Sequence, residues 1–149
     1  RLFIQASEMN PADYQSPSFL ALAYTALGRR EDATRARRRT IELIEQHLDM
    51  NPDDMRALYI GAANLSSLGD AQRALDWAER AYDAGREEPM VLYNVACTYA
   101  LLGESERALE LLEKAVSLGW GDRAWLETDS DLDSLRDIPR FKFLIKRIH

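Results

Sequence analysis

The chain has 149 residues, 46% of them hydrophobic and 30% charged, and a net charge of −6; that length suits one domain and that composition a globular one. The acidic balance argues against nucleic-acid binding, which needs a basic surface. The single cysteine excludes an intrachain disulfide, the distant His47 and His149 leave no histidine-based metal centre, and no apolar run approaches the roughly 20 residues of a membrane span.

In chain order, residues 1–9 ("RLFIQASEM") read as a helix closed by Pro11. Ser16 is suited to cap the next helix, with Pro17 at its first position, where the missing N–H costs nothing. Phe19, Leu20, Ala23, Tyr24 and Leu27 form the apolar stripe of that helix, and Gly28 ends it. A long partner comes next, over about residues 31–48, stopped by Asn51-Pro52. Two further helix pairs are expected at about 54–68 with 71–84, closed by Gly85, and 89–102 with 105–118, closed by Gly119.

Three Leu-Gly pairs, at Gly28, Gly69 and Gly103, set a register. The last two glycines are 34 residues apart and the first two 41, an excess of seven, which is about two helical turns. Ala21, Ala62 and Ala96 stand seven before each glycine. Ala33, Ala74 and Ala108 stand five after it, and Thr40, Ala81 and Ala115 twelve after it. Small residues recur where helices must approach closely. This 34-residue helix–turn–helix pattern resembles the tetratricopeptide repeat family, most clearly in "VLYNVACTYALLGESERALELLEKAVSL". The resemblance implies an all-α, right-handed superhelical solenoid of antiparallel helix pairs. In that frame residues 1–11, with Ala6 and Pro11 in register, are the second helix of a truncated repeat, so the chain is expected to be a fragment of a longer protein. Residues 14–53 form a repeat with a lengthened second helix, 54–88 and 89–119 two more, and 120–149 a cap. The frame is broken by Arg37 at a usually large apolar place, by Thr40 for an alanine and by Gly61 for a leucine.

From Trp120 the repeat stops. Trp120, Trp125, Leu126, Leu132, Leu135 and Phe141 are suited to cover the exposed end of a solenoid. Phe141, Leu144, Ile145 and Ile148 are spaced for a final amphipathic helix. "DSDLDSLRD" with the adjoining "PRF" resembles the terminal element of tetratricopeptide proteins in bacterial regulation, whose relatives carry cyclase-like, kinase-like or transcription-regulator-like effectors. The resemblance implies a regulatory or scaffolding part of a larger cytoplasmic signalling protein.

No enzymatic constellation is found. Asp129, Asp131 and Asp133 alternate as in a calcium loop, but Ser134 and Arg140 stand where the turn glycine and closing glutamate belong. The aspartates are better read as helix caps and partners of arginines such as Arg136. Cys97 has no second cysteine or adjacent histidine and reads as a small semi-buried residue. Ser66 and Ser67 lack a base. No metal and no cofactor are implied. Arg35, Arg37, Arg38 and Arg39, near Arg29 and Arg30, form the densest basic cluster; Arg35, Arg38 and Arg39 offer a secondary basic face for an acidic partner, or a solvated face paired as Glu31–Arg35 and Arg38–Glu42.

In the resembled family the first helix of each pair lines a concave groove. At matching offsets this chain carries Gln15, Ser18, Leu22 and Thr25, then Arg56, Tyr59, Ala63 and Ser66, then Met90, Tyr93, Asn94 and Cys97. Tyr59 and Tyr93 hold equivalent places, either binding a partner or packing between repeats. The lysine clamp that some relatives use on chaperone tails is missing. Its offsets hold Ser18, Leu22, Tyr59, Ala63 and Asn94, of which only Asn94 is compatible, with Arg56 a partial substitute. The expected function is protein–protein interaction: a peptide segment, or another domain of the parent chain, bound in the groove by apolar burial with Arg56 and Asn94 fixing polar groups. The alternative is self-association into a homo-oligomer through solenoid ends or the groove.

Overall fold

The computed structural model describes residues 12–148, and the helix expected over residues 1–11 lies outside them. Three helix pairs come first: α1 (Gln15–Ala26) with α2 (Arg30–Met50), α3 (Met55–Ser67) with α4 (Ala71–Ala84), and α5 (Pro89–Leu101) with α6 (Ser105–Ser117). The cap comes after them as α7 (Arg123–Thr128), a 3₁₀ helix (Ser130–Leu135) and α8 (Pro139–Lys146). Each short turn makes its pair antiparallel. Consecutive pairs stack, α2 on α3, α4 on α5 and α3 on α5. The described residues form an all-α solenoid.

Glycine makes the turn inside each pair. At Gly69 φ is 83° and at Gly103 it is 80°, a conformation that side chains with a Cβ resist. The next residue then bonds back across the turn, Asp70 N to Leu65 O at 3.0 Å and Glu104 N to Tyr99 O at 2.9 Å. The small residues in register are all buried: Ala21, Ala62, Ala96, Ala33, Ala74, Ala108, Ala81 and Ala115. They let helix axes come close, while Leu58, Leu65, Leu92, Leu109 and Leu112 fill the core between them.

The breaks in register have physical reasons. Gly61 faces the Trp77 ring so closely that any Cβ there would overlap it. The core volume that a leucine would fill from α3 is filled instead by a tryptophan from α4. Thr40 is fully buried, and its hydroxyl donates to Ala36 O at 2.9 Å, so it replaces alanine without an unpaired group. Helix α2 has 21 residues against 14 in α4, seven more, the excess in the glycine spacing. The first pair also sits differently: α3 packs along α5, but α1 and α3 barely touch. Asn64 spans that gap, donating to Ser18 Oγ at 3.1 Å and to Ile60 O at 2.9 Å.

One cap differs from expectation. Helix α1 begins before Ser16, and Asp13 does the capping, accepting from Gln15 N at 2.9 Å and from the Ser16 hydroxyl at 2.6 Å. Asp54 caps α3 by accepting from Arg56 N and Ala57 N at 3.0 and 3.2 Å, and it meets His47 Nε2 at 2.7 Å, tying the end of α2 to the start of α3. Burial pushes the Asp54 carboxyl up, but His47 and those two N–H groups outweigh it and hold it below the usual range.

The C-terminal cap is part of the core. Leu126, Leu132 and Leu135 are fully buried, and Phe141 and Leu144 nearly so. The 3₁₀ helix lies on α5, and α8 contacts α6 and α7. Arg136 donates to Leu126 O at 3.1 Å and Asp129 O at 2.7 Å, satisfying carbonyls the short helices leave open. Trp125 meets Tyr93 edge-on as part of this covering and keeps 54% of its own surface exposed.

Candidate functional site: the concave face

Two rows run across the first helices at fixed offsets from each glycine: Ser18, Tyr59, Tyr93 and Leu22, Ala63, Cys97. Their exposure grades along the solenoid. Leu22 is 60% exposed, Ala63 half-buried and Cys97 only 5% exposed. Ser18 and Tyr59 are half-buried, whereas Tyr93 is 3% exposed.

The gradient has one cause: the cap folds over α5. Trp120 stacks on Tyr93 at 4.4 Å between ring centroids and 9° between planes, and Trp125 meets the same ring edge-on at 6.3 Å. The Tyr93 hydroxyl donates to Asp129 Oδ2, which also accepts from Trp125 Nε1 at 3.3 Å and from the Cys97 thiol at 3.8 Å. The Ser134 hydroxyl donates to Ala100 O at 3.2 Å. Tyr93 thus packs against the cap, a third arrangement beside binding a partner or packing between repeats. Burial and the Asp129 contact push its hydroxyl far up, and burial together with Asp129 and Asp131 pushes the Cys97 thiol up. Cys97 is therefore a protonated, covered thiol rather than a nucleophile.

Cys97, Asp129 and Asp131 place a sulfur and two carboxylate oxygens within 4.8 Å of one another. Asp129 is nevertheless already spent. Its Oδ2 holds three donors and its Oδ1 accepts from Asp131 N at 3.0 Å as the cap of the 3₁₀ helix. Asp133 pairs with Arg136 at 2.9 Å. These are the capping and pairing roles expected of the aspartates from their spacing.

Asp131 is different. Among the described residues it has no ion pair within 4 Å, and burial, then Asp129 and Asp133, raise its carboxyl to about 6, with the charge of Arg37 opposing. Arg37, the residue at the apolar place in the repeat, donates to Thr25 Oγ1 of α1 at 3.2 Å. Burial pushes its guanidinium down, and Asp131 pulls it back. Each charge thus acts on the other, one held by the first pair and one by the cap. Arg37 stands out in the sequence as a charge out of register, whereas nothing in the sequence links Asp131 to it.

The remaining groove residues are scattered in role. Met90 is 54% exposed, and Asn94 spends an amide hydrogen on Met90 O at 2.8 Å, its own helix. Arg56 is exposed, and its charge opposes the burial that pushes the Tyr59 hydroxyl up. Gln15 and Ser66 are half-buried, and Thr25 is exposed. Asn64, the bridge from α3 to Ser18, escapes sequence reasoning because an asparagine in a helix carries no periodic signal.

On the outer face of α2 the pairing differs from the expected one. Arg35 pairs with Asp32, not Glu31, and Glu42 pairs with Arg39 at 3.2 Å, not Arg38. Arg30, Arg35 and Arg38 border a shallow surface depression with Glu31 and Thr34.

No family model matches the chain, and no curated protein matches it. Among solved structures, the crystal structure of MamA is similar to it over 97% of this chain and 81% of that one, at 19% identity and a TM-score of 0.48. Among the described residues no helix is long and apolar enough to cross a membrane.

Proposed function

We propose that the chain is a protein-interaction module that holds a segment of a partner, or of another domain of its parent protein, on the concave face of α1 and α3. One observation carries this reading. The two concave rows are filled at α5 by the chain's own cap, through an aromatic stack and a carboxylate that accepts from Tyr93. The same rows grow more exposed away from the cap, through the half-buried Tyr59 and Ala63 to the exposed Leu22. The cap is thus an intramolecular example of what the face accommodates, and two repeats of it are left for another chain. The module acts by binding and not by turnover. The cap's resemblance to those of bacterial regulatory proteins supports a regulatory place in a larger cytoplasmic signalling protein.

The test is a displayed library of random dodecapeptides selected on the full chain. Selected peptides should lose at least tenfold in affinity for a Leu22→Arg, Ala63→Arg double variant whose helical circular dichroism is unchanged. Peptides that bind this variant equally well place the binding surface elsewhere and contradict the reading.

A further inference from the structure

Two exposed surfaces away from the concave face carry opposite charge around an apolar side chain. The first is on α8. There Arg140 is held by Glu113 and Glu106 of α6, at 2.6 and 2.9 Å. Its neighbours Lys142, Lys146 and Arg147 are exposed and, among the described residues, form no ion pair within 4 Å. They surround Phe143, at 64% exposure the most exposed aromatic ring of the described residues, and the Arg147 guanidinium lies 6.0 Å from its centroid. Phe141, Leu144 and Ile148 take the buried side of the helix, which leaves these four on the other.

The second surface is the end of α2. Met50 is 83% exposed, the most exposed large apolar side chain of the described residues. Asp49 and Asp53 flank it in sequence, both exposed and both without an ion pair among the described residues. Lys142, Phe143 and Lys146 therefore have a counterpart of opposite sign, at the same sequence spacing, in Asp49, Met50 and Asp53. Among the described residues no ion pair joins the two surfaces within one chain. We propose that the α8 face of one copy of this chain binds the α2 end of a second copy, with Met50 on the Phe143 ring and the two aspartates paired with the two lysines. A thioether against an aromatic ring is a favourable contact. The two surfaces differ, so the contact is head-to-tail and leaves each copy free to bind another. It is small, and so weak, and its charge pairs make it sensitive to salt.

The surroundings favour a second copy over an anionic lipid surface. Glu106, its side chain 80% exposed, pairs with Arg140 of α8, and the exposed Asp137 directly precedes that helix, so both acids would be pressed against the headgroups. Arg30 and Arg38 of α2 also lack an ion pair, but Glu31 and Asp32 stand between them and no apolar side chain is exposed there.

Sedimentation equilibrium of the full chain tests this. The average mass should rise with concentration at low salt and return to that of one chain at high salt. Lys142→Gln with Lys146→Gln, and separately Asp49→Asn with Asp53→Asn, should each weaken the association about tenfold. All four positions are exposed, so the helical circular dichroism should not change. Mixed together, the two variants should form a one-to-one dimer and grow no further, because only one complementary pair of surfaces remains. A chain that stays monomeric at low salt overturns the proposal, even if its α8 face then binds polyglutamate or anionic vesicles. Association that both variants retain, or a mixture that does not dimerise, overturns it as well. None of these outcomes bears on peptide binding at Leu22 and Ala63, which lie on neither surface.

Discussion

The first and third helix pairs share one register and behave in opposite ways. In the third, α5 is buried almost all round: Val91, Leu92, Tyr93, Val95, Ala96, Cys97, Thr98, Tyr99 and Ala100 are all buried. In the first, α1 buries only Ser16, Pro17 and Ala21, with Phe19 and Leu22 exposed to 48% and 60%. The repeat register is the same, so it does not decide which first helix is open. A neighbouring segment decides it: the C-terminal cap turns back over α5, while α1 has few contacts even with α3. A repeat array can thus cover the first helix of one pair with its own cap while the first helix of another stays exposed.

Breaking the closed end has the largest expected effect. Leu132→Ala removes a fully buried anchor of the cap and should cost about 2–5 kcal/mol in urea unfolding. It should also raise the exposure of Tyr93 and Cys97, since the same segment covers them. A stability loss without exposure of Cys97 would separate the cap's packing from its covering role.

Next comes the junction between the two regions. Gly61→Leu restores the residue usual for the repeat but drives it into Trp77, so it should destabilise by about 1–3 kcal/mol. Adding Trp77→Ala should recover part of that loss, because the leucine then has room. An additive pair of losses would show that Gly61 is there for another reason.

Asp131→Asn works in the other direction. A carboxyl raised to about 6 in the folded chain holds its proton more tightly than in the unfolded one, so its ionisation opposes folding above that pH and does nothing below about pH 4. Replacing it should stabilise by roughly 1–3 kcal/mol at pH 7.5 and leave the melting temperature at pH 4 unchanged. A loss of stability at pH 7.5 would mean that the attraction to Arg37 outweighs the burial.

The smallest effect is expected at the outer side of the cap. Arg140 pairs with Glu113 at 2.6 Å and Glu106 at 2.9 Å, and the first of these contacts holds Glu113 below the usual carboxylate range. A depressed carboxyl gives its stability above its unfolded pKa and loses it as pH falls, so Arg140→Gln should lower the melting temperature slightly at pH 7 and not at pH 3.

Local chemistry made much of the fold legible. The Leu-Gly turns, the alanines in register and the seven-residue excess all derive from helical geometry, and each marks a place where backbone conformation or side-chain volume is constrained within a few residues. The groove was legible only as two rows of offsets. That Tyr93 and Cys97 are covered depends on Asp129 and Trp120, up to 36 residues away in sequence, and no periodicity encodes such a contact. Arg37 was visible as a charge at an apolar place, but its counterpart Asp131 was hidden among three alternating aspartates, only one of which lacks a close partner.

The contrast between the closed and open ends can be measured without any partner. Cys97 is the single thiol of the chain. Under native conditions it should react with an aromatic disulfide reagent orders of magnitude more slowly than in urea, while a Cys97→Ser, Leu22→Cys variant should react nearly as fast folded as unfolded. A native Cys97 that reacts as quickly as the thiol introduced at Leu22 would show that the cap does not close the third repeat, and would contradict the account.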